Sequence, residues 1–185
     1  MALTKTPVCE FGKKAVGFKL KSINNELISL SDIKGEKATL IMFICNHCPY
    51  VKAIIKDLIS DCKDLEKEGV KSVAIMSNDT KNYPEDSFEN MIKFAKDNRF
   101  DDLNYLIDRN QKIAEQYGAV CTPDFFGYNK NLGLQYRGRF GELKSLKLIK
   151  NNDSDLKLSM RMIAQTQKGP NDQIPSMGCN IKWIN

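Results

Sequence analysis

The sequence predicts an α/β protein whose central mixed sheet is covered by helices on both faces. Two largely apolar runs, residues 38–44 and 70–77, are rich in β-branched side chains, which is typical of buried strands. Each run is followed by a stretch in which apolar residues recur at helical spacing. Repeated strand–helix–strand units imply parallel neighbours, and a late hairpin adds antiparallel strands at one edge. With 185 residues, 42% of them hydrophobic, the chain is expected to form one domain over 1–185.

The first elements follow from local patterns. Residues 1–36 are expected to form an N-terminal hairpin extension that turns at Asn24 and Asn25. The run ATLIMFI then forms the first core strand. Beyond Pro49, apolar residues recur at helical spacing as far as Gly69, which favours the end of a helix.

The second half of the chain continues the alternation. A helix is predicted to open with the Pro-Glu-Asp sequence at 84–86, because proline and acids suit a first turn. A strand follows at 103–108, and a short helix runs to Gly118. The runs FFGYN and LGLQYRGRF flank an Asn-Lys-Asn turn and indicate a hairpin. The last helix is predicted over 154–167, and residues 169–185 form a C-terminal tail.

The segment FICNHCPYVKA, residues 43–53, lies between the first buried strand and its helix. Reactive groups in such sheets lie just beyond the carboxyl ends of the strands. Unpaired N–H groups and the helix dipole favour negative charge at this point. We therefore expect the thiolate of Cys45 to be stabilised as the nucleophile, and Cys48 to resolve the mixed disulfide that Cys45 forms.

His47, the only histidine of the chain, separates the two cysteines. An imidazolium or its N–H donor next to Cys45 favours the thiolate over the disulfide, and stabilising the reduced form makes a dithiol more oxidising. The prediction is thiol–disulfide exchange at a potential above the roughly −270 mV of thioredoxin, near the −180 mV region of protein disulfide isomerase.

A Thr122-Pro123 pair stands before the run FFGYN. A strand, a C-x-x-C sequence, a proline-started helix and a later Thr-Pro pair together resemble the thioredoxin superfamily. The resemblance implies a thioredoxin-like fold in which the Thr122–Pro123 bond is cis and lies against the dithiol. There the backbone of this pair would orient an extended substrate.

Four segments, FICNHCPYVKA, AVCTPDFF, YRGRF and GCNIKW, occur in this order between residues 43 and 183. Together they resemble the peroxiredoxin-like branch of the redoxins, related to the alkyl hydroperoxide reductase/thiol-specific antioxidant group. The resemblance implies that Cys45 and Cys48 are the redox pair, and it makes a thiol peroxidase the first alternative function. If Cys48 matches the peroxidatic cysteine, Cys45 replaces the family's threonine. GAVCTPDFF lacks the family's arginine, and Arg137 and Arg139 come later.

Cys121 lies two residues before Pro123 and is either a third thiol near the dithiol or a small buried side chain. A group of Cys45, Cys48 and Cys121 with His47 would make a thiolate-rich zinc or iron–sulfur site, which is the second alternative function. We expect no resident cofactor, because exchange chemistry already accounts for a C-x-x-C at a helix start.

Cys179 lies in the tail and is either an additional resolving thiol or a buried residue of a docked segment. Ile181 and Trp183 follow it and would cover an apolar patch. These apolar anchors favour the docked tail.

The charges are spread along the chain, with 28 basic and 23 acidic residues and a net charge of +5. This favours a solvated basic surface over a nucleic-acid partner. Because the sequence lacks a secretory apolar stretch and a run of about 20 apolar residues, we expect a cytoplasmic protein without a membrane partner. Its predicted partners are a protein or small-molecule disulfide and an electron donor.

Overall fold

A computed structural model describes residues 3–150 and 153–184 of the protein. The chain has four α-helices, α1 to α4, and twelve strands, β1 to β12, over these ranges. The helices are Pro49–Lys67, Phe88–Asp97, Lys112–Tyr117 and Asp155–Thr166. The strands are Leu3–Lys5, Lys19–Ser22, Leu27–Ser29, Ala38–Phe43, Val70–Met76, Asn104–Ile107, Cys121–Thr122, Asp124–Asn129, Leu134–Tyr136, Leu143–Lys144, Lys147–Leu148 and Met177–Asn180.

Seven strands form the central mixed sheet, in the order β3-β2-β6-β5-β4-β8-β9. Only the pairs β4–β5 and β5–β6 are parallel, while the other four pairs are antiparallel. The N-terminal hairpin turns at Asn25, which has a φ of 65°. Its strand β2 pairs with β6, so this part of the 1–36 extension continues the central sheet. The sheet therefore contains fewer parallel strand pairs than the alternation of strands and helices predicted.

Strand β4 shows how both faces of the sheet are covered. Leu40 and Met42 point into an apolar core shared with α1, α2 and α4. Ile41 and Phe43 point to the opposite core, which α3 and the N-terminal segment cover. All four side chains are fully buried. The continuous apolar run is thus explained by a strand that packs on both of its faces.

The predicted helix start at 84–86 is wrong by four residues. Residues 84–86 form a short 3-10 turn, and α2 begins at Phe88 with Ser87 as its N-cap. The hydroxyl of Ser87 accepts a hydrogen bond from the Asn90 N–H at 3.3 Å. Asp86 does not serve the helix as a first-turn acid, because its fully buried carboxylate accepts from the backbone N–H of Asn46.

The C-terminal tail is docked by backbone pairing. Strand β12 lies between β1 and β7 in a three-stranded antiparallel sheet. Ile181 is buried as predicted, but 39% of Trp183 is exposed, so Ile181 alone of this pair is an apolar anchor. None of the helices within the described ranges combines the length and the apolarity that crossing a membrane requires.

Candidate active site

The two cysteines of the C-x-x-C sequence lie between β4 and α1, at the carboxyl end of the central strands. Pro49 is the first residue of α1, so Cys48 is the N-cap. Cys45 is 1% exposed and Cys48 is fully buried. The predicted strand–dithiol–helix arrangement is therefore present, with both sulfurs covered by protein.

Cys48 is the sulfur whose surroundings favour the thiolate. A hydrogen bond from Cys45, the backbone N–H of Val51 in the first turn of α1, and Cys179 together outweigh burial and lower the pKa of Cys48 to about 5. The Cys48 Sγ also lies 3.1 Å from the carbonyl oxygen of Thr122, to which a protonated Cys48 would donate. This carbonyl is the contact that opposes the thiolate.

The surroundings of Cys45 favour a thiol, whereas the sequence predicted a thiolate at this position. The hydrogen bond to Cys48, burial and the nearby charge of Asp86 raise the pKa of Cys45 well above its usual value. Its Sγ lies 3.3 Å from the hydroxyl of Thr122. The physical reason is the position of the helix: α1 starts after Cys48, so its unpaired N–H groups face Cys48 and leave Cys45 as the protonated partner.

His47 is turned towards a carboxylate. Its Nδ1 lies 2.7 Å from Asp86 Oδ2 but 3.9 Å from Cys45 Sγ, and its ring stacks on Tyr83 at a centroid distance of 5.9 Å. The hydrogen bond to Asp86 raises the pKa of His47, with a further contribution from the charge of Cys48. Because electrostatic coupling is reciprocal, protonated His47 favours the Cys48 thiolate. The predicted contact of His47 with Cys45 is also present, as the longer of the two contacts that Nδ1 makes.

Asp86 is the residue of the site that sequence reasoning missed. Its Oδ1 accepts from the N–H groups of Asn46 and His47 at 2.8 and 3.3 Å, and its Oδ2 accepts from the Asn78 side chain at 2.8 Å. Burial opposes ionisation, but the hydrogen bonds from His47 and Asn78 outweigh it and hold the pKa of Asp86 below its usual value. Tyr105 completes the network by donating to Asn46 Oδ1 at 2.9 Å.

Asp86 therefore fixes the backbone between the two cysteines. The only sequence signal for it was an acidic residue next to a proline, and this signal was assigned to a helix start. No local pattern relates it to Asn46, forty residues earlier.

Thr122 and Pro123 lie against the dithiol. The peptide bond between them is cis, as the resemblance implies. Both Thr122 oxygens face the sulfurs, the hydroxyl facing Cys45 and the carbonyl facing Cys48. This pair thus contacts both members of the proposed redox pair.

The two additional cysteines differ in their relation to the site. Cys121 is fully buried, and its Sγ donates to the Pro123 carbonyl oxygen at 3.6 Å. Burial raises its pKa strongly, which is typical of a packed thiol. Cys179, in contrast, has its Sγ 3.2 Å from the Sγ of Cys48. The tail is docked, as favoured, but it also brings its cysteine to the dithiol.

The described residues contain one group with metal-ligand proximity, formed by Cys45, His47 and Asp86, whose ligand atoms lie within 4.8 Å of one another. Cys121 is not a member of this group. The hydrogen bond between His47 and Asp86 already occupies the imidazole nitrogen and the carboxylate oxygen that would face a cation. In this structure the His47 and Asp86 side chains are therefore partners of each other.

Comparison with known proteins assigns the chain to a family. The sequence profile described as the AhpC/TSA family matches residues 11–140, more than two thirds of the chain. The chain belongs to the AhpC/TSA family. This redoxin is accordingly an oxidoreductase that acts on thiols.

The chain is also similar to individual proteins. A solved structure of a conserved protein from Geobacillus kaustophilus is 37% identical to this redoxin, has a TM-score of 0.94, and is matched over 100% of this chain and 97% of its own. The protein named peroxiredoxin bcp in Coxiella burnetii is 26% identical over 118 residues, which cover 64% of this chain and 72% of the relative.

The thioredoxin-like fold is confirmed by a more distant structure. The thioredoxin domain of a thiol-disulfide oxidoreductase from Bacteroides vulgatus has a TM-score of 0.58 at 16% identity, over 73% of this chain and 89% of that domain.

The arginines that follow the Thr-Pro pair are held by carboxylates. Arg137 is 5% exposed, and its Nη2 donates to Asp124 Oδ2 at 3.0 Å and to the Gly118 carbonyl oxygen at 2.6 Å. Arg139 donates to Asp155 at 2.6 Å. The guanidinium groups of Arg137 and Arg139 are therefore both paired with carboxylates.

Proposed function

We propose that this redoxin is a thiol–disulfide oxidoreductase that uses the Cys45–Cys48 pair, with the roles of the two cysteines reversed from the sequence expectation. The observation that carries the proposal is the position of the pair: Cys48 is the N-cap of α1. There Cys45, as a hydrogen-bonded thiol, and the Val51 N–H favour the Cys48 thiolate and lower its pKa to about 5. A thiolate and a thiol in contact are the two groups that exchange requires.

In the proposed reaction, the Cys48 thiolate attacks one sulfur of a substrate disulfide. The substrate's S–S bond breaks, a Cys48–substrate disulfide forms, and the second substrate sulfur leaves as a thiolate. This thiolate takes the proton of Cys45, whose sulfur then attacks Cys48. The products are a reduced substrate and a Cys45–Cys48 disulfide, which an external dithiol donor reduces again.

The surrounding residues support this sequence of steps. The Val51 N–H and protonated His47 favour the Cys48 thiolate. The contacts of Asp86 with Asn46 and His47 hold the backbone between the sulfurs. Because both sulfurs are buried, the segments around the dithiol must rearrange when a substrate disulfide reaches Cys48.

A thiol peroxidase is the second candidate. Its support is the position and low pKa of Cys48, together with the name of the Coxiella burnetii relative. The charge-paired state of Arg137 and Arg139 favours exchange, since neither guanidinium is left to polarise a peroxide at the sulfur.

The test compares the two activities in one protein. With dithiothreitol as the electron donor, the wild type should reduce insulin or glutathione disulfides and turn over hydrogen peroxide slowly. Cys48→Ala should abolish disulfide reduction. Cys62→Ala serves as the control for loss of a buried cysteine, because Cys62 lies in α1 away from the dithiol, and it should retain the activity. Rapid peroxide consumption with little disulfide reduction would instead identify a peroxidase.

The assignment of the nucleophile has its own readout. The alkylation rate of Cys48 by iodoacetamide, followed by peptide mapping, should fall with a midpoint near pH 5 as the thiolate is protonated. Because both sulfurs are buried, the midpoint and not the absolute rate is compared. A midpoint near 5 on Cys45 would restore the original assignment.

We further propose a cytoplasmic location, with a protein or small-molecule disulfide and a dithiol donor as partners.

A further inference from the structure

The C-terminal strand occupies a specific place at the dithiol. Strand β12 pairs with β7 in antiparallel register, and Cys179 lies directly opposite Thr122. The carbonyl oxygen of the same Thr122 lies 3.1 Å from Cys48 Sγ. The chain thus places a cysteine-bearing strand of its own on the backbone that, by the resemblance to thioredoxins, would orient an extended disulfide substrate.

The sulfur of that strand is in contact with the reactive sulfur. Cys179 Sγ lies 3.2 Å from Cys48 Sγ, and Cys179 is 4% exposed. Burial and the hydrogen bond to Cys48 raise the pKa of Cys179 to about 12, so it is held as a thiol beside a thiolate. Cys48 therefore has two thiol neighbours, Cys45 and Cys179.

Strand β12 is held in this place from several directions. On its other edge it pairs with β1, where Leu3 lies opposite Cys179. Before it, Ser176 Oγ donates to the Pro123 carbonyl oxygen at 2.7 Å. After it, the Lys182 N–H donates to Asn78 Oδ1 at 2.9 Å. Because strand β12 is anchored with Cys179 in contact with Cys48, the strand does not have to move before Cys179 reacts.

We propose that Cys179 is a third redox-active thiol that exchanges with the Cys45–Cys48 disulfide. This inference rests on the exchange chemistry proposed above. The Cys179 sulfur attacks the sulfur of Cys48, the Cys45–Cys48 bond breaks, and a Cys48–Cys179 bond forms. The proton of Cys179 passes to the departing Cys45 thiolate. No electrons are gained or lost, and the oxidised state moves from the C-x-x-C sequence to the C-terminal strand.

The transfer has a chemical consequence. In the Cys48–Cys179 form, the Cys45 thiol is released while strand β12 is bound covalently to the start of α1. The disulfide then joins two secondary-structure elements and no longer lies within the C-x-x-C sequence. Reduction of this form requires a donor that reaches Cys48 or Cys179.

The experiment removes Cys45 and supplies oxidised glutathione as the probe. In reduced Cys45→Ala protein, Cys48 attacks glutathione disulfide and becomes glutathionylated, with release of glutathione. Cys179 should then attack Cys48 and release the second glutathione. The expected product is a Cys48–Cys179 disulfide, seen by mass spectrometry as loss of two hydrogens without a glutathione adduct, and by peptide mapping as a linked pair.

Two further variants test whether Cys179 is the thiol that releases the glutathione. A Cys45→Ala/Cys179→Ser protein should stop at the glutathione adduct of Cys48. A Cys45→Ala/Cys121→Ser protein is the matched control, because Cys121 pairs with Asn180 in the same two strands while its sulfur faces Pro123. This control should still form the Cys48–Cys179 bond. A stable adduct on Cys48 in Cys45→Ala protein, with Cys179 still open to alkylation, would overturn the proposal.

Oxidation of the wild type distinguishes a failure of the third-thiol proposal from a failure of the exchange function. If it forms the Cys45–Cys48 disulfide but Cys45→Ala keeps its adduct, the third thiol is wrong and the exchange function stands. If the wild type forms no bond between Cys45 and Cys48 and Cys48 takes no glutathione, the exchange function itself fails. If Cys45→Ala does not fold, mapping of the oxidised wild type decides: a Cys48–Cys179 peptide supports the third thiol, and its absence rejects it.

Discussion

At the scale of single residues, the site is organised by one carboxylate. Asp86 accepts hydrogen bonds from two consecutive backbone N–H groups between the cysteines and also pairs with His47. It is fully buried, and its ionised form depends on these donors. The pKa of the histidine in the C-x-x-C sequence is consequently raised by a partner that lies outside the motif.

This arrangement predicts the titration of His47. Replacing the carboxylate in Asp86→Asn removes the charge that raises the pKa of His47, so the pKa should fall towards the ordinary histidine value of about 6.5. Since the chain contains one histidine, its ring signals can be followed by NMR without assignment of others. Wild-type His47 should titrate above that value.

Glu85→Gln is the matched control for this titration. It removes the same unit of charge one residue away, from an exposed side chain that contributes less to the His47 pKa. The pKa should change little in this variant. Equal His47 pKa values in the wild type and Asp86→Asn would show that the ion pair does not set the charge of His47.

At the scale of elements, β7 and β12 must approach closely for Cys179 to reach Cys48. Gly178 makes this possible, because a Cβ at this position would lie 2.1 Å from the carbonyl oxygen of Thr122. No side chain fits at that distance, so the strands would have to separate. The small residue before Cys179 is therefore a requirement of the strand pairing.

Gly178→Ala should accordingly lower the free energy of unfolding by about 1 to 3 kcal/mol, as expected for forced overpacking in a buried contact. It should also reduce the yield of the Cys48–Cys179 bond, since Cys179 moves with its strand. Urea unfolding of the reduced protein measures the first effect. Gly17→Ala is the control, because a Cβ there meets no atom within 4 Å. Equal unfolding free energies for the two variants would contradict the close-approach argument.

The elements also show which parts of the structure local sequence could indicate. The buried strands β4 and β5 and the helix α1 were predicted within about two residues, because apolar periodicity reports burial directly. The sequence expectation placed the thiolate on Cys45, whereas the position of α1 favours Cys48, for which a local signal was available. Pro49 marks the first helical residue and therefore makes Cys48 the N-cap. The contacts of Asp86 and Cys179 with the dithiol had no such local signal, since they join residues far apart in the chain.

At the scale of the whole molecule, the carboxyl ends of the central strands, the C-terminal strand and the start of α1 converge on one sulfur. Folding transfers Cys48 from water to a place where donors outweigh the cost of burial, which lowers its pKa from 9.0 to about 5. A pKa that changes on folding makes stability depend on pH. Because stabilising the reduced form makes a dithiol more oxidising, a potential above that of thioredoxin stays the prediction.

The pH dependence of stability should therefore differ between the two redox forms. Between about pH 5 and 9, the unfolded reduced chain holds a proton on Cys48 that the folded reduced protein does not, so the free energy of unfolding of the reduced form rises with pH in this window. The slope approaches 1.4 kcal/mol per pH unit, or roughly 3 to 6 °C in Tm for a chain of this size. Below about pH 5 this contribution is lost.

The oxidised protein lacks this contribution, whether Cys48 is joined to Cys45 or to Cys179, because a disulfide sulfur does not titrate. The Tm of the reduced form minus that of the oxidised form should therefore increase between about pH 5 and 8, while effects of the other ionisable groups largely cancel in the difference. Thermal unfolding with and without dithiothreitol measures it. In reduced Cys48→Ser protein, the part of the rise in Tm with pH that the Cys48 thiolate causes should be absent. A difference that stays constant over this range would mean that Cys48 does not become a thiolate on folding, and the nucleophile would have to be sought elsewhere.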